Sequence, residues 1–292
     1  MQGRDRIWRA AFGTCLARAL SQKLNEAWKQ PVVVDNRGGA NGTIGTALVA
    51  KAPADGLTLL IVPSGFAVNP SIYPNLPYDQ SKDLAAVSQL ASGPLVLALH
   101  PSVPVTSVKQ LIALAKARPG QLNYASSGNG SPPHIATELF KLMTRIDMAH
   151  IPYKGTGPAA VDLLSGQVSL YFMNALSAVP FVKAGRVRAI AVSSPQRSAV
   201  MPELPTVAEA GVPGYEYTNW YGLLAPGATP KDAIAKLNRE VVRILQLPDV
   251  KERLTADGAE VVGSTPEEFA AFLKREQEKF AKVVKSAGIT GG

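Results

Sequence analysis

The sequence predicts an α/β protein with mainly parallel central sheets, and three observations carry that prediction. Segments rich in β-branched and apolar residues alternate with segments of helical periodicity along most of the chain. The apolar segments at 57–62 and 96–99 are nearly continuous, as in strands buried on both faces. The length, 292 residues, suits two domains of about 150 residues better than one.

The elements follow in order. Residues 32–35 form a β-branched strand that ends in a glycine-rich turn at 36–42, and a helix follows over 44–51. After the strands at 57–62 and 96–99, Ser107 and Gln110 have the spacing of a capping box, and Val108, Leu111, Ile112 and Ala115 then share one helical face. Arg118-Pro119-Gly120 stops that helix. A strand at 122–125, a loop at 126–131 and a helix opening on Pro132-Pro133 make the next unit. A helix near 158–164 ends at Gly166, where a C-terminal glycine belongs, and strands at 168–173 and 189–192 follow. The last third carries two long amphipathic helices, 230–245 and 265–287. The second opens with Thr265 as N-cap, Pro266 at the first helical position and Glu268 at the third, and Phe269, Phe272, Leu273, Phe280, Val283 and Val284 form its apolar stripe.

Composition narrows the function classes without choosing one. Hydrophobic residues reach 46% and charged residues only 18%, so the chain buries a sizeable core and is neither disordered nor a coiled coil. Thirty basic against 22 acidic residues give +8, which suits nucleic acid, a membrane surface or an anionic ligand alike. The single cysteine, Cys15, excludes an intramolecular disulfide and a multi-cysteine metal site. His100, His134 and His150 are too scattered to form a local ligand motif. No apolar run approaches the ~20 residues that span a bilayer. Arg4, Arg6 and Arg9 precede an apolar stretch at 10–17 that Gly13 interrupts and Arg18 stops, so this segment reads as no working signal peptide.

Among the loops, 126–131 before the Pro132 helix carries the sharpest signal. Its glycines permit backbone N–H groups to converge on an anion, and the helix N-terminus adds a favourable partial charge. Pro132 and Pro133 lack N–H groups, so an anion would rely on the N–H groups of Gly128, Asn129, Gly130 and Ser131 and on the hydroxyls of Ser126, Ser127 and Ser131. A well-capped helix after a tight turn explains the same residues. The glycines at 38, 39, 42 and 45 do not fit a dinucleotide fingerprint, which leaves 36–45 as a structural turn. Lys154-Gly155-Thr156 lacks the earlier glycine of a phosphate loop, and Ser131 is not in a nucleophile elbow. His134 has no nucleophile or orienting carboxylate in view and reads as a capping or structural histidine. Tyr153 and Lys154 open a second polar loop, for which a solvated turn is the alternative. Ser64, Asn174 and Trp220 stand at strand ends, where open α/β sheets bind ligands, although core packing also explains Trp220.

Several motifs occur together: Pro31-Val-Val-Val-Asp-Asn-Arg37, the segment from Asn123 to His134, Ile151-Pro-Tyr-Lys-Gly155, Pro205-Thr-Val-Ala-Glu-Ala-Gly211, Trp220-Tyr-Gly-Leu-Leu-Ala-Pro226 and Thr265-Pro-Glu-Glu-Phe269. In this combination the chain closely resembles the Bug family, the extracytoplasmic solute-binding receptors of tripartite tricarboxylate transporters, over residues 16–287. The resemblance implies a fold like the type II periplasmic binding proteins, with two lobes that close on a ligand cleft. Lobe 1 is expected over 1–99 and 224–292, and lobe 2 over 100–223. It implies a small carboxylate ligand, delivery to membrane permease subunits, a periplasmic location, a monomer, and neither cofactor, metal, nucleic acid nor catalytic residues. A sensory or regulatory ligand-binding protein of the same fold, or an α/β enzyme, are the alternatives. By resemblance Ser127, Gly128, Asn129, Gly130 and Ser131 bind the ligand, with Ser64, Tyr153, Asn174 and Trp220 at further cleft positions. The chain departs from the family at 4–15. Charged residues 4–9 are expected to make a poor central strand, only Gly13 and Thr14 are left for the first-lobe ligand loop, and weakened binding is expected there.

Overall fold

The computed structural model describes residues 6–10, 14–37, 39–256 and 258–291. In the first lobe, β1 (Arg6–Ala10), α1 (Thr14–Trp28), β2 (Val32–Asn36), α2 (Thr43–Ala50) and β3 (Thr58–Pro63) alternate, and a short helix α3 (Asn69–Ile72) precedes the long strand β4 (Leu84–Leu99). The second lobe contains α4 (Val108–Ala117), β5 (Asn123–Ser126), α5 (Pro132–Thr144), β6 (Ala149–Pro152), α6 (Thr156–Ser165), β7 (Leu170–Asn174), α7 (Ala175–Lys183) and β8 (Arg188–Val192). The chain returns through β9 (Thr218–Pro226), α8 (Lys231–Leu245), α9 (Pro248–Ala256), β10 (Glu260–Val261) and α10 (Pro266–Ala287).

The strands join in the order β2-β1-β3-β9-β4-β7-β5-β6, with β8 and β10 also on β4. Pairing is parallel within β2-β1-β3 and within β7-β5-β6, and antiparallel wherever β4 or β9 takes part. Residues 84–94 of β4 pair with β9, whereas residues 95–99 pair with β7 and β8. Tyr217 still bonds to Ser193 before β9 begins at Thr218. Residues 95–99 and 218–223 therefore pair with the lobe opposite to the one that boundaries at 99/100 and 223/224 assign them. The change of partner runs inside the continuous strands β4 and β9, not at their ends.

The segment expected to make a poor central strand does form one. β1 lies between β2 and β3, with Ile7 opposite Val33 on one side and Thr58 on the other. Backbone groups of two neighbours fix it there, and that pairing asks for no particular side chain.

The pleat explains the layering. Leu60 and Val62 of β3, with Leu95, Leu97 and Leu99 of β4, face one core that runs on to Phe269 and Phe280 of α10. Leu59 and Ile61 face a second core under α1 and α8, and Val96 and Ala98 face a third beneath α6 and α7. Both sheet halves are thus covered on both faces, as the continuous apolar strands require. α10 keeps its full capping box: Glu268 N–H donates to Thr265 Oγ1 at 3.2 Å and Thr265 N–H to Glu268 Oε2 at 2.9 Å. At α4 only half of the expected box forms. Gln110 N–H donates to Ser107 Oγ, but the Gln110 side chain reaches one residue further back, to Thr106 N–H at 2.7 Å.

Candidate functional site

The loop between β5 and α5 is held by its own hydrogen bonds. Gly128 (φ 126°) and Gly130 (φ 73°) take conformations that L side chains rarely adopt, and Ser131 N–H closes the turn on the Gly128 carbonyl at 3.1 Å. Gly128 N–H donates to Ser126 Oγ at 3.1 Å, and Gly130 N–H donates to His134 Nδ1 at 3.0 Å. The expectation that the N–H groups of Gly128, Gly130 and Ser131 converge on an anion is therefore corrected. Those three donors already have partners inside the lobe, as does the Ser126 hydroxyl, 2.6 Å from His150 Nε2.

One buried side-chain polar atom of the loop is left over. Ser131 has N-cap geometry, yet its Oγ is buried and has no hydrogen-bond partner; the residue is 2% exposed. An N-cap hydroxyl normally accepts from the second or third helical N–H. Here the first two helical residues are Pro132 and Pro133, so the nearer donor does not exist, and the well-capped helix is not what forms. A buried hydroxyl without a partner is costly unless a ligand or water completes it.

The loop faces the first lobe across a cavity of about 610 Å³. Ser127, Gly128, Asn129, Tyr153 and Lys154 line one side, and Gly39, Ala40 and Asn41 line the other. Lys154 is exposed and puts a positive charge on this rim. Asn41 adopts a left-handed backbone (φ 49°) and directs Nδ2 to Gly65 O (2.9 Å), Asn69 Oδ1 (2.8 Å) and, in the second lobe, Gly130 O (3.1 Å). A smaller cavity of about 190 Å³ lies between Gly93, Thr218, Arg197 and Ala259, and none of the partnerless buried side-chain atoms among the described residues belongs to its lining.

The other expected site residues divide. Ser64 and Asn174 meet through a buried network at the lobe crossing. Ser64 Oγ donates to Asn219 Oδ1 (2.7 Å) and lies 2.9 Å from the Tyr217 hydroxyl, and Asn219 Nδ2 donates to Asn174 Oδ1 (3.1 Å). Tyr153 lines the cavity, but its hydroxyl donates to Asp162 Oδ2 at 2.6 Å; desolvation and that carboxylate push its pKa up to about 12. Trp220 is fully buried, packs edge-on against Phe269 and Phe272, and donates its indole N–H to Glu276 at 2.9 Å. It takes the core-packing alternative. Thr14 stands at the start of α1, and Gly13 lies outside the described residues.

Two contributors were not legible as such. Asn41 sits in the glycine-rich turn read as purely structural; its left-handed neighbours Gly39 and Gly42 are the signal that this turn brings backbone close to something. His134 and His150, read as unrelated, stack face to face with ring centroids 3.9 Å apart, whereas His100 bonds Ser102. Burial lowers the His134 pKa to about 3, helped by His150 and Lys141, and lowers that of His150 to about 4, helped by Lys141, so both rings are neutral at pH 7.

Comparison with known proteins is consistent along the whole chain. Residues 16–289 match the family described as tripartite tricarboxylate transporter family receptor. Protein BugT of Bordetella pertussis is 41% identical over 275 residues, covering 94% of this chain and 84% of that protein. Rpa4515 of R. palustris, solved with adipate, superposes with a TM-score of 0.93 at 37% identity and 99% coverage of both chains. MatC of Rhodopseudomonas palustris, solved with bound malate, gives 0.89 at 31% identity, with 97% of this chain and 100% of that one covered.

Proposed function

The chain belongs to the tripartite tricarboxylate transporter receptor family, and from that premise we propose that it captures a small carboxylate in the cleft between its lobes. Ser131, Ser127 and Asn129 supply the second-lobe contacts, Gly128 and Gly130 shape the loop that presents them, and Thr14 belongs to the first-lobe side. Ser64 and Asn174 act at the lobe crossing through Asn219, and Tyr153 borders the cleft. Trp220 is left out of the contact set, because its one donor already serves Glu276. The protein works as a monomer in the periplasm, hands its ligand to membrane permease subunits and changes nothing covalently.

The observation that carries this reading is the buried Ser131 hydroxyl without a partner, at the N-terminus of α5 and just behind Ser127, Gly128 and Asn129, the loop residues that line the 610 Å³ cleft. A ligand carboxylate completes that hydroxyl and benefits from the helix N-terminus. Supporting it, the relatives solved with adipate and with malate share the fold over nearly the full chain.

Thermal unfolding with a panel of carboxylates, adipate and malate included, tests the proposal. A ligand at 100 times its Kd stabilises by about 2.7 kcal/mol, a clear shift for one bound molecule per chain. Ser131→Ala is expected to weaken that binding by about 1.5–3 kcal/mol, as for a lost hydrogen bond to a charged group. Unaltered affinity in Ser131→Ala would remove the hydroxyl from the site, and recovery of a chemically changed ligand would overturn the receptor reading.

A further inference from the structure

We infer that His134, backed by His150, is a positioning residue that sets the shape of the cleft loop from beneath; the inference rests on reading residues 126–131 as the carboxylate loop. His134 stands at the third position of α5, 5% exposed, and its Nδ1 accepts the Gly130 N–H at 3.0 Å. His150, on β6, lies 2.6 Å through Nε2 from the Ser126 hydroxyl. The two rings stack at 3.9 Å and 14°, and His150 stacks in turn on Tyr124 at 4.8 Å and 15°. One pile of rings therefore grips the loop at its start, Ser126, and near its end, Gly130. The bottom of the pile is fixed as well: the Tyr124 hydroxyl donates to Glu138, which pairs with Lys141 at 2.7 Å.

The grip reaches the ligand contacts by two short routes. Ser131, with the partnerless hydroxyl, is the next residue after Gly130. The Gly130 carbonyl is also the atom that accepts from Asn41 of the first lobe at 3.1 Å. The Gly130 residue is thus fixed through its N–H by the second lobe and through its C=O by the first. Histidine suits the position because a neutral imidazole offers an acceptor at Nδ1 and a flat face for stacking in the same side chain. Rotation of the His134 ring or loss of its acceptor frees the Gly130 N–H and lets the Ser131 hydroxyl drift relative to the cleft.

Two substitutions separate positioning from packing. His134→Asn places an amide oxygen where Nδ1 stands, while His134→Gln carries its amide one bond further out, towards the position of Nε2. Both remove the stacked ring, so both are expected to lower Tm to a similar degree. With adipate and malate as probes, His134→Gln is expected to bind about three- to tenfold more weakly, with His134→Asn within about twofold of wild type. Amide hydrogen exchange across 127–131 is expected to speed up in His134→Gln and to stay near wild type in His134→Asn. Ser126→Ala cuts the His150 tie together with the Ser126–Gly128 hydrogen bonds, keeps the stack and is expected to move affinity and exchange in the same direction as His134→Gln. Wild-type affinity and exchange in His134→Gln, or equal losses in His134→Asn and His134→Gln, would overturn the inference. If the wild-type protein binds neither probe while His134→Gln still loosens the loop, the carboxylate reading fails and the positioning role stands.

Discussion

Replacing Gly130 by alanine tests how tightly the two lobes constrain the cleft loop. The native backbone has φ 73°, which costs an alanine roughly 1–2 kcal/mol relative to glycine. The added Cβ also collides with Ile72 Cδ1 of the first lobe and stands 3.1 Å from Asn41 Nδ2. Ile72 is only 4% exposed, so its side chain cannot move aside freely, and overpacking of this kind costs about 1–3 kcal/mol. The sum is about 2–5 kcal/mol, which lowers Tm by several degrees in a chain of this size. The steric part has a built-in reporter, because Ile72→Val deletes the colliding methyl. Ile72→Val alone costs about 1 kcal/mol. Combined with Gly130→Ala it should recover the steric part, so the double-mutant cycle closes with a coupling of about 1–2 kcal/mol. Urea unfolding of the four proteins supplies the cycle, and adipate titration shows whether the cleft follows. Additive losses would refute the steric contact between the lobes, and wild-type stability in Gly130→Ala would refute the backbone account as well.

Two further outcomes follow from the same structure. The buried imidazoles make stability depend on pH. Their folded pKa values, about 3 for His134 and about 4 for His150, lie below the unfolded value near 6.5, so the unfolded chain takes up protons first as pH falls. Their contribution is complete above about pH 6.5 and declines through pH 6, 5 and 4, each ring giving at most about 1.4 kcal/mol per pH unit, less for the partly solvated His150, and His134 alone continuing the decline below pH 4. Urea midpoints at pH 7, 6 and 5 measure it, and a flat profile would mean that the rings are hydrated in the folded state. Trp220→Phe removes the indole donor from Glu276, a carboxyl whose pKa burial already raises. The expected loss is about 1–3 kcal/mol of stability with carboxylate affinity unchanged, and an affinity loss would return Trp220 to the cleft.

Much of the fold is local and so was legible. The apolar runs at 57–62 and 96–99 appear as strands buried on both faces, and the Thr265–Glu268 signature forms the complete box that opens α10. The loop before Pro132 was also found from its glycines and its place before a helix. β1 was not, because its charged side chains mask a backbone whose pairing comes from β2 and β3. The crossing inside β4 escaped for a related reason: a strand that changes partners between Pro94 and Leu95 carries no stop signal in its sequence beyond Gly93-Pro94.

By itself, the sequence determined where the elements form, which faces are apolar and which loop stands at the head of α5. Those features depend on neighbouring residues, through helical and strand periodicity, caps and turns. Only the tertiary structure decided which groups of that loop have partners. Each N–H donates essentially once, and whether it has done so depends on residues brought in from afar. His134 and His150 meet only because β6 lies beside β5, and Asn41 reaches Gly130 across 89 residues. The composition of the loop suggested a cluster of backbone donors. The folded chain engages three of them in holding its shape and leaves the Ser131 hydroxyl buried and without a partner.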